Sequence, residues 1–218
     1  MKYKKKHRYL LGLFLCICLF SQTYGQDNPP VSVEAMVANH GTVTIISLNK
    51  KLRSLPRLGF FNVTNLISEW GELRPVDIMQ QSGLTVEIIK NLDWVAGYQY
   101  TEADGLRAST SLMYTFIKKD ILMVLAPRID LTKNANYEGY GFIEYNPLLA
   151  GKWRFYSRLE GMYSPSVKKS IHQRSFGIIR AGLSYQEFSF GLGLNFDYFG
   201  PEKYKVTNTG FFISADLF

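Results

Sequence analysis

Three features of the sequence predict an all-β fold, an antiparallel up-and-down transmembrane β-barrel of 12 strands with ten as the alternative. Apolar and polar side chains alternate with period two along segment after segment. The connections between these segments alternate between tight turns and longer polar loops. Aromatic residues gather near segment ends, among them Trp94, Tyr98, Tyr100, Tyr145, Trp153, Tyr163 and Tyr198. Alternate residues of a strand point to opposite faces, so each segment has one greasy side and one polar side. Sorted loops and aromatic girdles at two interfaces are the pattern of a membrane barrel. A secreted sandwich or lipocalin-like barrel also alternates, but it has no reason to sort its loops.

The first element is residues 1–25. A basic start (Lys2, Lys4, Lys5, Lys6, Arg8) precedes an apolar run from Leu10 to Phe20, then the small residues Thr23 and Gly25. This is the build of a secretory signal peptide, with a run too short to span a bilayer. Cleavage after Gly25 leaves Gln26 as the new N-terminus and one domain, 26–218. Lipid attachment at Cys16 or Cys18 would need a small-residue box that neither has. The segment holds five basic residues and no acid, so the remainder has 20 basic against 18 acidic residues, a net charge of +2 rather than +7. A nucleic-acid partner loses its main support, and none is expected. Both cysteines also leave, which excludes disulfides and cysteine-ligated metal from the exported chain.

Strands are expected near 31–38, 41–49, 57–66, 84–90, 92–101, 106–117, 120–130, 138–146, 151–163, 174–185, 187–199 and 206–218. The first two form a hairpin because Val31, Val33, Ala35 and Val37 keep period two around Glu34, and even strand numbers are the rule. Tight turns fall at 90–91, 118–120, 146–151 and 186–187. Longer loops fall at 67–83, 102–105, 131–137, 164–173 and 200–205. No segment beyond residue 25 approaches the ~20 apolar residues of a membrane helix. In 187–199, Phe188, Phe190, Leu192, Leu194 and Phe196 turn toward lipid. Ser189, Gly191, Gly193, Asn195 and Asp197 turn toward a tight lumen, where the glycines leave space for Arg180 or Arg158.

HQRSFGIIRAGLSYQEFSFGLGLNFDYFGP (172–201) and the closing GFFISADLF (210–218) carry a family likeness. The chain resembles a small outer-membrane β-barrel of the Bacteroidota type, a family mostly without an assigned function. The resemblance implies export to the outer membrane of a Gram-negative cell, contact with outer-membrane lipid and lipopolysaccharide, and insertion by the barrel assembly machinery. Barrels of this kind usually end in an aromatic residue that the machinery reads, and Phe218 fits. The positions two and four before it, normally apolar, are Asp216 and Ser214. The apolar parity is instead Phe211, Ile213, Ala215 and Leu217, which places Phe218 just past the strand.

Charges on the inward parity are the leading candidates for a functional role. They are Arg107, Arg128, Arg154, Arg158, Glu160, Arg180, Glu144 and Asp197, with Glu87, Asp93 and Asp130. Facing lipid at mid-depth would cost each a few kcal/mol, so they belong in the lumen. They can form a conduit with acidic and basic walls, or a plug of interlocked Arg–carboxylate pairs in a narrow barrel. The expected function is therefore a non-enzymatic barrel, either a small pore or a structural or interaction component. The alternatives are a surface adhesin using loops 67–83 and 164–173, and a lipid hydrolase or deacylase with His172 as base. Base and nucleophile at i, i+2 would share a strand face. The three-residue spacing of His172 and Ser175 puts them on opposite faces if extended, and Ser170 lies in the polar loop. Lys168, Lys169 and Arg174 could touch lipopolysaccharide head groups. His40 has no serine or carboxylate arranged around it. The loop acids Glu69, Glu72 and Asp77 lack calcium-loop spacing, and the G-x-G at 191–193 has no following helix. No cofactor or metal is expected.

Overall fold

The computed structural model describes residues 29–133, 136–166 and 171–217. The expected signal peptide and its cleavage point, Lys168, Lys169, Ser170 and Phe218 lie outside the described residues. The strand segments are β1 (Val31–Ala38), β2 (Gly41–Leu52), β3 (Leu55–Glu69), β4 (Asp77–Ile89), β5 (Leu92–Thr101), β6 (Gly105–Lys118) and β7 (Ile121–Leu125). They continue as β8 (Arg128–Asp130), β9 (Tyr137–Tyr145), β10 (Leu148–Ala150), β11 (Trp153–Ser166), β12 (Ile171–Tyr185), β13 (Phe188–Phe199) and β14 (Tyr204–Leu217). Neighbouring strands pair antiparallel, and β1 pairs with β14 from Val31–Leu217 to Ala38–Gly210, which closes the sheet.

Prolines explain why 14 segments make a closed barrel of 12 strands. β7 and β8 are one barrel strand interrupted at Ala126–Pro127, where proline has no N–H to give the ladder. The register against β6 is the same on both sides, Leu125 opposite Tyr114 and Arg128 opposite Ser111. Pro127 still accepts a hydrogen bond from the Leu112 N–H at 3.2 Å. Pro147 interrupts the next strand in the same way, between β9 and β10.

All five connections at the end where β1 begins and β14 ends are two residues long: 53–54, 90–91, 119–120, 151–152 and 186–187. Asn91, Lys119, Gly151 and Gln186 have φ of 69°, 51°, 58° and 55° there. Such left-handed backbone lets a two-residue hairpin follow the twist of its strands. The opposite end carries the connections 39–40, 70–76, 102–104 and 200–203, and β8 and β11 end there while β9 and β12 begin there. These are called the turn end and the loop end below.

Several strands run further than hydropathy alone indicates. β3 reaches Glu69 and β4 starts at Asp77, so the expected loop 67–83 shrinks to 70–76. The stretch Asp77–Ser82 pairs residue by residue with β3, although Gln80 and Ser82 make its outward parity polar. Backbone hydrogen bonding is indifferent to side-chain polarity, and hydropathy cannot see such a strand. The expected loop 164–173 is likewise mostly strand, since β11 reaches Ser166 and β12 begins at Ile171. The expected turn 146–151 contains β10 and contracts to 151–152.

The outward parity is apolar over most of the barrel. Phe188, Phe190 and Leu192 are exposed. Leu194 and Phe196 are half-buried, Phe196 because its ring lies where a Cβ on Gly177 would sit, 2.2 Å away. Exposed aromatics of the outward parity ring both ends, with Trp94, Tyr145, Trp153 and Tyr185 toward the turn end and Tyr98, Tyr100, Tyr137 and Tyr163 toward the loop end. Inside the barrel, Met36, Val43, Ile45, Tyr156, Ile178 and Phe212 form a buried apolar cluster.

Candidate functional site: the filled lumen and the loop-end rim

The lumen is filled from the wall inward. Arg180 on β12 stands opposite Gly193 of β13. A Cβ on Gly193 would lie 2.8 Å from Met36 Sδ and 3.1 Å from Arg180 Nη1. The absent side chain lets the guanidinium extend past β13 and β14. Its Nε and Nη2 donate to Glu34 Oε1 on β1 at 2.9 and 2.7 Å, and Nη1 donates to Asn195 Oδ1 at 2.7 Å. The Phe212 ring lies 5.6 Å from the guanidinium carbon. The Arg180 side chain is 0% exposed. A buried guanidinium satisfied in this way fixes three strands relative to a fourth.

Beside it, Tyr156 of β11 meets Phe212 of β14 with ring centroids 5.7 Å apart, and its hydroxyl donates to Glu144 Oε2 at 3.1 Å. Arg158 pairs with Glu160 at 2.5 Å and lies 4.5 Å from the Phe142 ring centroid. Two further groups line the other wall. Arg128 binds Asp130 and Glu138 at 2.7 Å each, and Arg107 binds Asp130 at 2.6 Å. Toward the turn end, Lys51 binds Asp93 and lies 3.7 Å from Glu87.

Nearer the loop end, Arg174 crosses the barrel. It forms two bonds of 2.9 Å to Asp197 on neighbouring β13 and one contact of 3.0 Å to Asp77 on β4. In the strand order, β12 and β4 lie on opposite sides of the ring. Arg174 is therefore not available for head groups at the rim; it braces the lumen. Hydropathy placed Asp77 in a loop and Arg174 at the rim. The unbroken period-two run Arg174, Phe176, Ile178, Arg180 was the available signal that Arg174 points inward. Above this bridge, a cavity of about 930 Å³ opens, with His40, Glu69, Asp77, Glu102 and Asp197 among its lining residues.

The eight charged residues singled out from sequence fall into separate groups. Arg158, Glu160, Glu144 and Arg180 lie in one belt around Tyr156 and Phe212. Arg107 and Arg128 share Asp130, and Asp197 holds Arg174. Arg154 stands apart near the turn end, bonded to Asp120 at 2.7 Å and to Asn146. The rim acid Asp77 serves Arg174, and among the described residues no cluster of metal-ligating side chains is found.

One expectation is overturned on the outer face. Arg174 stands opposite Ser164, but His172 stands opposite Pro165, so Gln173 is an extra residue in β12. A bulge of this kind shifts the parity by one. His172 and Ser175 therefore share the outward face instead of opposing one another, and His172 Nε2 lies 2.9 Å from Ser175 Oγ. His172 Nδ1 lies 2.6 Å from the Gly200 carbonyl oxygen, while the Gly200 N–H donates to the Gln173 carbonyl at 2.7 Å. The bulge and the 200–203 turn thus clamp each other.

No protein-family model and no curated protein matches this chain. Solved structures do. A NanC porin is 9% identical with a TM-score of 0.50, covering 86% of this chain and 99% of its own. A bacterial polysaccharide outer membrane secretin is 9% identical, with a TM-score of 0.41 over 81% of this chain and 70% of its own. LpxR from Salmonella typhimurium is 9% identical, with a TM-score of 0.38 over 85% of this chain and all of its own (100%). At such identities the likeness to the porin concerns the fold, which is that of an outer-membrane barrel.

Proposed function

We propose that this chain is an outer-membrane barrel of the small Bacteroidota type with a sealed lumen, and that it acts through its rim and outer face as a structural or interaction component. The apolar outward belt between two aromatic rings suits a bilayer, and the charges gathered inside suit a lumen. The observation that carries the sealed reading is the pair of arginine braces. Arg174 joins β12 to the opposite wall at Asp77, and Arg180 with Glu34 closes the level below among buried aromatic rings. Twelve strands fall between the eight that side chains just fill and the sixteen that leave an aqueous channel, so it is these braces rather than the strand number that close the lumen.

Planar-bilayer recording tests this reading. The purified barrel gives no channel events above the bare bilayer, and Arg174→Ala combined with Asp77→Ala gives brief low-conductance openings at most. Steady ohmic conductance from the unaltered chain would overturn the sealed reading. Outer-membrane residence is read separately, by fractionation and by heat-modifiable migration on gels.

A further inference from the structure

We infer that His172 and Ser175 form an esterolytic site on the outer face of the barrel, taking the acyl ester of an anionic lipid at the membrane interface. The inference rests on the outer-membrane residence proposed above. Its chemistry follows from two contacts. A carbonyl oxygen only accepts hydrogen bonds, so the Gly200 contact requires the proton of neutral His172 to sit on Nδ1. Nε2 is then left with its lone pair aimed at Ser175 Oγ, 2.9 Å away. A nucleophile bonded to a base, with that base oriented by a third group, is the arrangement that activates a serine hydroxyl.

The surroundings fit a lipid ester. Strand pairing places Tyr163, Ser175, Tyr198 and Lys205 side by side on one outward row across β11, β12, β13 and β14. The Tyr163 ring lies 5.7 Å from the His172 ring, and Lys205 Nζ lies 5.9 Å from the Tyr198 ring centroid. Tyrosines at this level sit where head groups meet acyl chains. Lys205 supplies a cation on the same row for a lipid phosphate. His172 is buried while Ser175 is half-exposed, so the base is sheltered and the nucleophile can be reached.

In the reaction, Ser175 Oγ attacks the ester carbonyl as its proton passes to His172 Nε2. The carbon–oxygen bond to the alcohol then breaks, and the departing oxygen takes that proton. Water, deprotonated by the same nitrogen, releases the fatty acid and restores the serine. No co-reactant other than water is needed. Gly200 is a positioning residue, since it touches only the imidazole.

The test uses the full chain in detergent micelles and in vesicles. A fluorophosphonate probe labels the folded barrel on Ser175, and Ser175→Ala takes no label. His172→Ala retains the heat-modifiable folded band but reacts about 100-fold more slowly or worse, the scale of a lost general base. Fatty-acid release from phosphatidylglycerol vesicles exceeds that from phosphatidylcholine vesicles, and Lys205→Ala removes the preference. Release from purified lipopolysaccharide, run alongside, shows which anionic lipid supplies the ester. A folded barrel in the outer-membrane fraction that leaves the probe unreacted, or equal labelling in Ser175→Ala, overturns the inference and spares the residence. A reactive Ser175 in a chain absent from that fraction overturns the residence and the lipid substrate with it.

Discussion

β12 carries two kinds of polar site back to back, and they are built on opposite principles. On its inner face, Arg174 and Arg180 have several acceptors each, with Arg174 over the half-buried Phe199 ring and Arg180 over the buried Phe212 ring. On its outer face, His172 and Ser175 have each other and one carbonyl. A guanidinium whose donors are taken up by carboxylates and amides inside the barrel is structural, because moving it strands a charge. A hydroxyl held against a tautomerically fixed imidazole, on a face open to its surroundings, is available to react. What separates the two faces is which partners the barrel lets each group keep.

The sharpest way to break the inner face is to remove one partner of the buried pair. Glu34→Ala leaves Arg180 charged and unpaired, and the folded state loses about 3–5 kcal/mol, read as a lower urea midpoint. Replacing both, Glu34→Leu with Arg180→Met, recovers most of that loss, because no charge is left buried. On the outer face, Leu192→Arg at mid-height costs about 2–4 kcal/mol in lipid vesicles, whereas Phe188→Arg near the turn end costs at most ~1 kcal/mol. A depth-independent result would mean that the outward belt does not meet hydrocarbon. Returning inside, Gly193→Ala presses on Met36 and Arg180 and costs about 1–3 kcal/mol by overpacking. The smallest effect belongs to neither face. Asp120→Ala removes the half-exposed Arg154 contact near the turn end and changes stability by less than ~1 kcal/mol, an effect that salt erases.

The fold was largely legible because a strand writes itself locally. Phe188 through Phe196 alternate with Ser189 through Asp197, and no other chain geometry sorts side chains that way. Two-residue turns such as Gln186–Glu187 could be read for the same local reason. The sites were less legible. Parity lines up Arg107, Arg128, Arg158 and Arg180 on one face without saying which carboxylate each one meets. β4 was half hidden because Gln80 and Ser82 break the hydropathy rhythm while the backbone ladder continues. The sequence names His172 and Ser175 but sets them on opposite faces, since one extra residue at Gln173 reverses the parity on which that reading depends.

The sequence by itself determined strand, face and turn, because side-chain alternation and turn conformation are decided within a few residues by the backbone. Closure of the sheet decided the rest. Only when β1 meets β14 does Arg180 reach Glu34 and Arg174 reach Asp77, with 146 positions between the first pair. Only where β12 is paired with β11 at one end and pinned to the 200–203 turn does Gln173 bulge and bring His172 to Ser175. Contacts between residues far apart in the chain depend on the register around the whole ring, and no local stretch contains that information.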